Sequence, residues 1–315
     1  MEWAIPDMHD VLAARRRIAP YLQPTPLYGH PALTARLGTE VWVKHENYQP
    51  VGAFKVRGGI NLIASLSEDE RARGVSAAST GNHGQSIAYA ARLFGVGAVI
   101  VVPEGANPVK VAAMRGLGAE VVEHGRDYDE AREHCERISA DRGYRYVHSG
   151  NEPLLIAGVA TLALEILEAQ PEIDVLIGPI GGGSGMAGAC VAVRALRPAV
   201  RLIGVQSAAA PAAHRSWQAG ALVEAPNSTA AEGLATRTAF ELPQRILRDH
   251  LDDFVLVSED ELATATRLMI ETTKSLVEHA GAAALGMREA LAGRRVALIC
   301  SGGNLSPAQL RALLA

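Results

Sequence analysis

The chain has 315 residues, of which 48% are hydrophobic, 20% charged and 4% aromatic, and its formal net charge is −4. That length is enough for two domains around a large core, and the balance is that of an ordinary globular protein. So slight an acidic excess gives no footprint for DNA or an anionic membrane, and so few aromatic rings leave no platform for stacked single strands. The opening MEWAIPDMHD is acidic early and has no apolar run, so no secretory signal is expected, and no stretch approaches a membrane span. Cys135, Cys190 and Cys300 are scattered and lack metal-ligand spacing, which suits small buried residues in a reducing cytoplasm.

In chain order, residues 7–18 read as a helix with Asp7 as N-cap, and Pro20, Pro24 and Pro26 then force an extended connector. Residues 40–46 alternate as a strand, and a helical pattern follows Lys55 through Leu62, Ile63 and Leu66 to end before Gly74. From there the chain alternates short β-branched runs with helices. Strands are expected at 75–78, 98–104 and 119–124, with helices at 81–96, 108–118 and 127–143 between and after them. A second series has helices at 155–170 and 186–196 and strands at 174–181 and 201–208. Residues 208–227 are weakly patterned, 259–292 read as helical, 296–304 as a last strand and turn, and 307–315 as a closing helix. This alternation predicts an α/β protein whose mostly parallel sheets are flanked by helices. Residues 1–72 and 148–315 are expected to form a large domain, and 73–147 a small one, around one cleft.

Four stretches carry chemistry. The first is Ala53-Phe54-Lys55-Val56-Arg57-Gly58-Gly59. A lysine that attacks a carbonyl needs a dry wall, because desolvation disfavours the ammonium and frees the amine. The same window also suits an exposed Lys–Arg pair opening a helix, with Phe54 as core. The second is Ser79-Thr80-Gly81-Asn82-His83-Gly84, between a strand and a helix, where free N–H groups suit a carboxylate or phosphate and where a plain N-cap would also fit. The third, Gly181-Gly182-Gly183-Ser184-Gly185, lets backbone N–H groups curl around an anion, most naturally a phosphate. Gly183, Gly185 and Gly188 also spell GxGxxG, but Gln206 stands where a ribose-binding acid belongs, about 20 residues on. The fourth is Ser301-Gly302-Gly303-Asn304 after the last strand, which alone would read as a glycine turn.

Together, and in this order, the four stretches resemble those of the pyridoxal-phosphate enzymes of fold type II, in particular the threonine and serine dehydratases and serine racemase. The resemblance spans residues 53–304. It implies that Lys55 is the Schiff-base lysine and catalytic base, and that Phe54 packs on the cofactor. Asn82 would bond the cofactor's phenolic oxygen, and Gly181, Gly182, Gly183, Ser184 and Gly185 would cup its phosphate. Ser79, Thr80, Gly81 and His83 would hold the substrate carboxylate. Ser301 would face the pyridine nitrogen, where a neutral hydroxyl gives a milder electron sink than a carboxylate and so favours elimination. Val56 followed by Arg57-Gly58 is the dehydratase form; synthase-like relatives carry Asp directly after the lysine.

The resemblance thus implies pyridoxal 5′-phosphate in the interdomain cleft and an ammonia-lyase that turns a β-hydroxy amino acid into a 2-oxo acid and ammonia. Its partners would be a small amino-acid substrate and a second copy in a homodimer, with no nucleic acid or membrane. Threonine, serine, 3-hydroxyaspartate, a 3-arylserine and a hydroxyectoine breakdown product all stay open as substrates. Racemisation is the runner-up, since Thr80 keeps a hydroxyl where many dehydratases have Ala. A non-catalytic nucleotide binder is the reading from another class. Ala53 departs from the commoner Ser. Gln206 replaces the Glu of divalent-metal-dependent relatives, with no acid nearby at 208–213, so no Mg²⁺ or Ca²⁺ site is expected there. No regulatory domain of the isoleucine-feedback type is expected after Asn304. Glu278-His279 reads as a solvated pair outside the site, Arg15–Arg17 as a helix end, and His45, His148 and His214 as lacking metal partners.

Overall fold

The computed structural model describes residues 3–286 and 291–314. Its ten strands are β1 (Leu27–Gly29), β2 (Glu40–His45), β3 (Val75–Ala78), β4 (Ala98–Val102), β5 (Glu120–Glu123), β6 (Arg145–Tyr146), β7 (Val175–Pro179), β8 (Arg201–Ser207), β9 (Asp253–Val257) and β10 (Arg295–Cys300). They form a six-stranded sheet in the order β1-β2-β10-β7-β8-β9 and a four-stranded sheet in the order β5-β4-β3-β6. Only the β1–β2 pair is antiparallel; every other pairing is parallel. The short runs Val75–Ala78 and Val175–Gly178 are buried throughout, as strands covered by helices on both faces must be.

Apolar clusters lie on each face of the six-stranded sheet. One joins Ile156, Leu162 and Ile166 to Ala189 and Val193; the other joins Val41, Val43 and Ile203 to Leu262 and Met269. A third cluster ties the four-stranded sheet to Val56, Ile60 and Ile63 of the helix Val56–Ala64. That helix packs so closely that a Cβ on Gly59 would collide with Ser86 Oγ. The glycine pair after Lys55 is therefore a packing requirement as much as a motif.

Most expected elements stand where the periodicity placed them, and Asp7 caps the first helix in a full capping box with Asp10. The differences have local causes. The helical pattern after Lys55 is interrupted at Ser65–Ser67, where Ser67 caps a second helix, Glu68–Arg73. Residues 259–292 are not one helix. The helix Glu259–Thr273 ends at Lys274 in the left-handed conformation (φ 59°), a short turn His279–Ala282 follows, and 287–290 lie outside the described residues. The weakly patterned 208–227 holds the helix Ala212–Ala219. Strands β1, β6 and β9 and the helices Pro31–Leu37 and Glu241–His250 were not expected; β1 and β6 are too short to show a period.

Candidate active site

The loops that follow β3, β7 and β10 open at the carboxyl ends of parallel strands, the usual position of a site in an open α/β sheet. One cavity is lined by all of them. It takes in Phe54 and Lys55, Ser79 to His83, Gly181 to Gly185 and Ser301, so the four stretches separated along the chain meet in space.

Lys55 is held from both sides. Its carbonyl accepts from Ser86 Oγ at 2.6 Å, and Phe54 N donates to Ser301 O at 3.0 Å. Gly303 N donates to Gly52 O at 2.8 Å and Ala53 bridges Gly302, so the lysine segment and the last strand's turn are stitched together. The fully buried Arg57 anchors the segment from below. Its guanidinium pairs with Glu46 at 2.8 Å and Glu165 at 2.6 Å, and Lys44 joins Glu165 at 2.5 Å. The Lys55 amine itself touches no carboxylate. Nζ donates to Ser184 Oγ at 2.9 Å and Ser149 O at 3.2 Å, and burial lowers its pKa to about 8. The window is thus not an exposed Lys–Arg pair.

The loop after β3 runs into the helix Asn82–Phe94. Ser79 Oγ accepts from the N–H groups of Gly81 (2.9 Å) and Gly84 (2.8 Å), so this hydroxyl shapes the loop. Asn82 is fixed at both ends of its amide. Nδ2 donates to Glu278 Oε1 at 2.6 Å, and Oδ1 accepts from Asn304 Nδ2 at 2.8 Å. His83 is buried against Val147 O, and burial drives its pKa down to about 3, so its ring is neutral.

The glycine run forms a cradle that side chains would fill. A Cβ on Gly181 would strike Gly233 O, and one on Gly182 would strike the Phe240 ring. Gly183 has φ 91° and opens the helix Ser184–Leu196, so free N–H groups point into the cavity at a positive dipole end. Phe54 flanks this cradle, its ring 3.1 Å from where a Gly185 Cβ would stand. Ser301 is buried beside it, with Oγ 3.5 Å from Ala280 O.

Four ionisable residues in the cavity were not expected there. Glu278, read as solvated, is buried and faces inward, because the chain breaks at Lys274 and turns the acid toward Asn82. Only its neighbour His279 stays with the helix side, bonding Thr266 at 2.8 Å. Lys110 reaches in from the helix Pro108–Gly116 and pairs with Glu232 at 2.6 Å and Glu278 at 3.4 Å. Tyr128 places its hydroxyl 2.8 Å from Ser149 Oγ, and burial pushes its pKa up to about 12. An apolar helix face that contains a single lysine was the available signal for Lys110; Glu232 sits in a stretch without period. Gln206 lies apart, its Oε1 accepting from His214 N at 2.9 Å, and the nearby acid Glu259 is held by Ser207 and Thr229. Among the described residues no group of three His, Cys, Asp or Glu could hold a metal ion.

The family model described as pyridoxal-phosphate dependent enzyme matches residues 18–302. The chain belongs to this family. It is 38% identical over 302 residues to an L-threonine ammonia-lyase of Thermotoga maritima, covering 95% of this chain and 75% of the relative. It is equally identical, over 307 residues, to an L-threo-3-hydroxyaspartate ammonia-lyase of Saccharomyces cerevisiae, with 96% and 94% covered. The crystal structure of a threonine deaminase from T.th. superposes with a TM-score of 0.90 at 38% identity, covering 96% of this chain and 99% of that one. The chain is thus a fold type II member.

The cavity fits the family's cofactor. Its glycine cradle has the shape and the N–H donors for a phosphate, and its lysine amine has only neutral partners and a lowered pKa, as an aldehyde-binding lysine requires. The described residues contain no helix long and apolar enough to cross a membrane.

Proposed function

We propose that this family member is an ammonia-lyase that dehydrates a β-hydroxy amino acid of the threonine or serine type to a 2-oxo acid and ammonia. The observation that carries the proposal is the meeting of Lys55, free of any carboxylate, with the hydroxyl of Ser301 in one cavity. Bound pyridoxal phosphate supplies an electron sink for the pair left at Cα when its proton departs. Gly181 to Gly185 would hold its phosphate, and Phe54 would wall one side. Asn82, fixed by Glu278 and Asn304, presents a set orientation to the ring's oxygen. Ser301 would offer a neutral hydroxyl to the pyridine nitrogen, a choice that suits departure of a β-substituent over a long-lived carbanion.

The substrate's carboxylate takes the N–H groups of Thr80 and His83 at the start of the helix Asn82–Phe94, beside Gly81, whose own N–H is held by the Ser79 hydroxyl that buttresses the loop. Lys55 Nζ then takes the Cα proton. Its pKa, lowered to about 8, leaves about a tenth of the amine unprotonated at pH 7, far more than an ordinary lysine would offer as a general base. The same lysine, protonated by that step, can return the proton to the departing β-hydroxyl, so water leaves and hydrolysis of the remaining enamine releases ammonia. A nucleotide-binding role would leave the dry lysine without a task.

Racemisation remains the second reading, because the Thr80 hydroxyl lines the same cavity and can return a proton to Cα. In this proposal 1–72 with 148–315, and 73–147, are the two domains, and the site is their cleft. A homodimer follows from the family resemblance, and three unpaired buried cysteines support a reducing cytoplasm. The test supplies L-threonine and L-serine to the holoenzyme and measures 2-oxo acid, ammonia and the configuration of recovered substrate. Equal amounts of 2-oxo acid and ammonia are expected. Substrate recovered as a D,L mixture with neither product would establish racemisation instead.

A further inference from the structure

The two relatives at 38% identity bear names that differ by a carboxylate on the substrate's side chain, so identity alone does not choose between a neutral and an acidic substrate. The charges of the cavity do. Two lysines and two glutamates line it: Lys55, Lys110, Glu232 and Glu278. His83, the other titratable group with a basic nitrogen in the lining, is kept neutral by burial. With Lys55 given to the cofactor, one cation and two anions are left. That cation is already occupied, since Lys110 Nζ pairs with Glu232 at 2.6 Å and with Glu278 at 3.4 Å. Arg237, next in the chain to the lining residue Thr236, is taken by Asp127 at 3.0 Å and Asp129 at 3.1 Å.

Resting on the amino-acid reading of this site, we infer that the cavity selects substrates with an uncharged side chain over those whose side chain carries a carboxylate, and that the Lys110–Glu232 pair makes the selection. The substrate's α-carboxylate has backbone N–H groups to meet it. A second carboxylate has none of these, and it must either stand beside two glutamates or displace one of them from Lys110. Like charges brought together in a desolvated site are strongly disfavoured. Glu232 is the partner that can be removed selectively. It is the nearer to Lys110, it sits on a turn with 29% of its side chain exposed, and without it Lys110 keeps only the longer contact to Glu278.

The test compares L-asparagine with L-aspartate, which share shape, differ in charge and carry no β-hydroxyl to eliminate. Calorimetric titration of the holoenzyme reads binding without turnover. L-aspartate is expected to bind at least about tenfold more weakly than L-asparagine, and Glu232→Gln to shrink or reverse that ratio by about tenfold. Equal binding of the two by the wild type overturns the inference. A wild-type preference that Glu232→Gln leaves unchanged overturns the role of the Lys110 pair, and binding of neither overturns the inference together with the amino-acid reading. Failure of the dehydratase reading alone looks different: the charge preference is present while L-threonine and L-serine give no 2-oxo acid.

Discussion

Replacing Arg57 by Met should destabilise the protein by an amount that depends on pH. Arg57 is fully buried, and its guanidinium meets Glu46 at 2.8 Å and Glu165 at 2.6 Å. Removing it leaves Lys44 as the sole cation facing two carboxylates, one of them, Glu46, completely buried. Breaking a buried pair in this way costs about 3–5 kcal/mol. For 315 residues the unfolding entropy is about 0.7 kcal/mol/K, so the melting temperature should fall by about 5–8 °C at pH 8. The pH dependence follows from Glu46. Burial pushes its pKa up, but Arg57, Lys44 and the Thr25 hydroxyl together outweigh this and hold it below the usual carboxylate range. In the wild type its contribution is therefore present above the unfolded carboxylate pKa and lost as pH falls through the lower folded value.

In Arg57→Met, burial acts without its main opponent, so the folded pKa rises, and stability is lost as pH climbs past the unfolded value. The gap between the two proteins should be widest at pH 8 and should narrow by more than about 1 kcal/mol at pH 5. Thermal melts followed by circular dichroism at both pH values measure it. A deficit below about 1 kcal/mol, the size of an exposed ion pair, or one that does not change with pH, would refute the reasoning.

Two further outcomes follow from the site. Because burial lowers the Lys55 pKa to about 8, uptake of pyridoxal phosphate by the apoprotein should speed up as pH rises through 8 and level off above it; a rate still climbing toward pH 10.5 would contradict this. Ser301→Asp should cut 2-oxo acid formation at least about tenfold while deuterium exchange at Cα of recovered substrate persists, with Thr80 the donor on the far face. An unchanged ratio of exchange to elimination in a protein that still binds cofactor would remove Ser301 from the ring.

The parts of the site that could be read along the chain are those written in glycine, because a backbone that must approach a ligand or another helix admits little else. The runs at 58–59 and 181–185 mark such approaches, and they led to Lys55 and the cradle. Glu278, Lys110 and Glu232 could not be found this way. Each is an ordinary charged residue whose inward direction depends on tertiary partners, and for Glu278 on the left-handed Lys274, a conformation that a lysine does not announce. The fold shows the same division. The buried strands β4, β7, β8 and β10 carry apolar runs bounded by turns, whereas the two- and three-residue strands β6 and β1 exist only because a neighbouring strand is there to pair with.

The central claim is that Lys55, among the inward-facing lysines, carries the cofactor. Lys44 and Lys110 are the alternatives, and both are committed to carboxylates. Borohydride reduction of the holoenzyme, followed by peptide mapping, decides between them. The account predicts one pyridoxyl group per chain, on the peptide that holds Phe54-Lys55-Val56. The group on Lys44 or Lys110, or an unlabelled Lys55 in a protein that retains its colour before reduction, would contradict it.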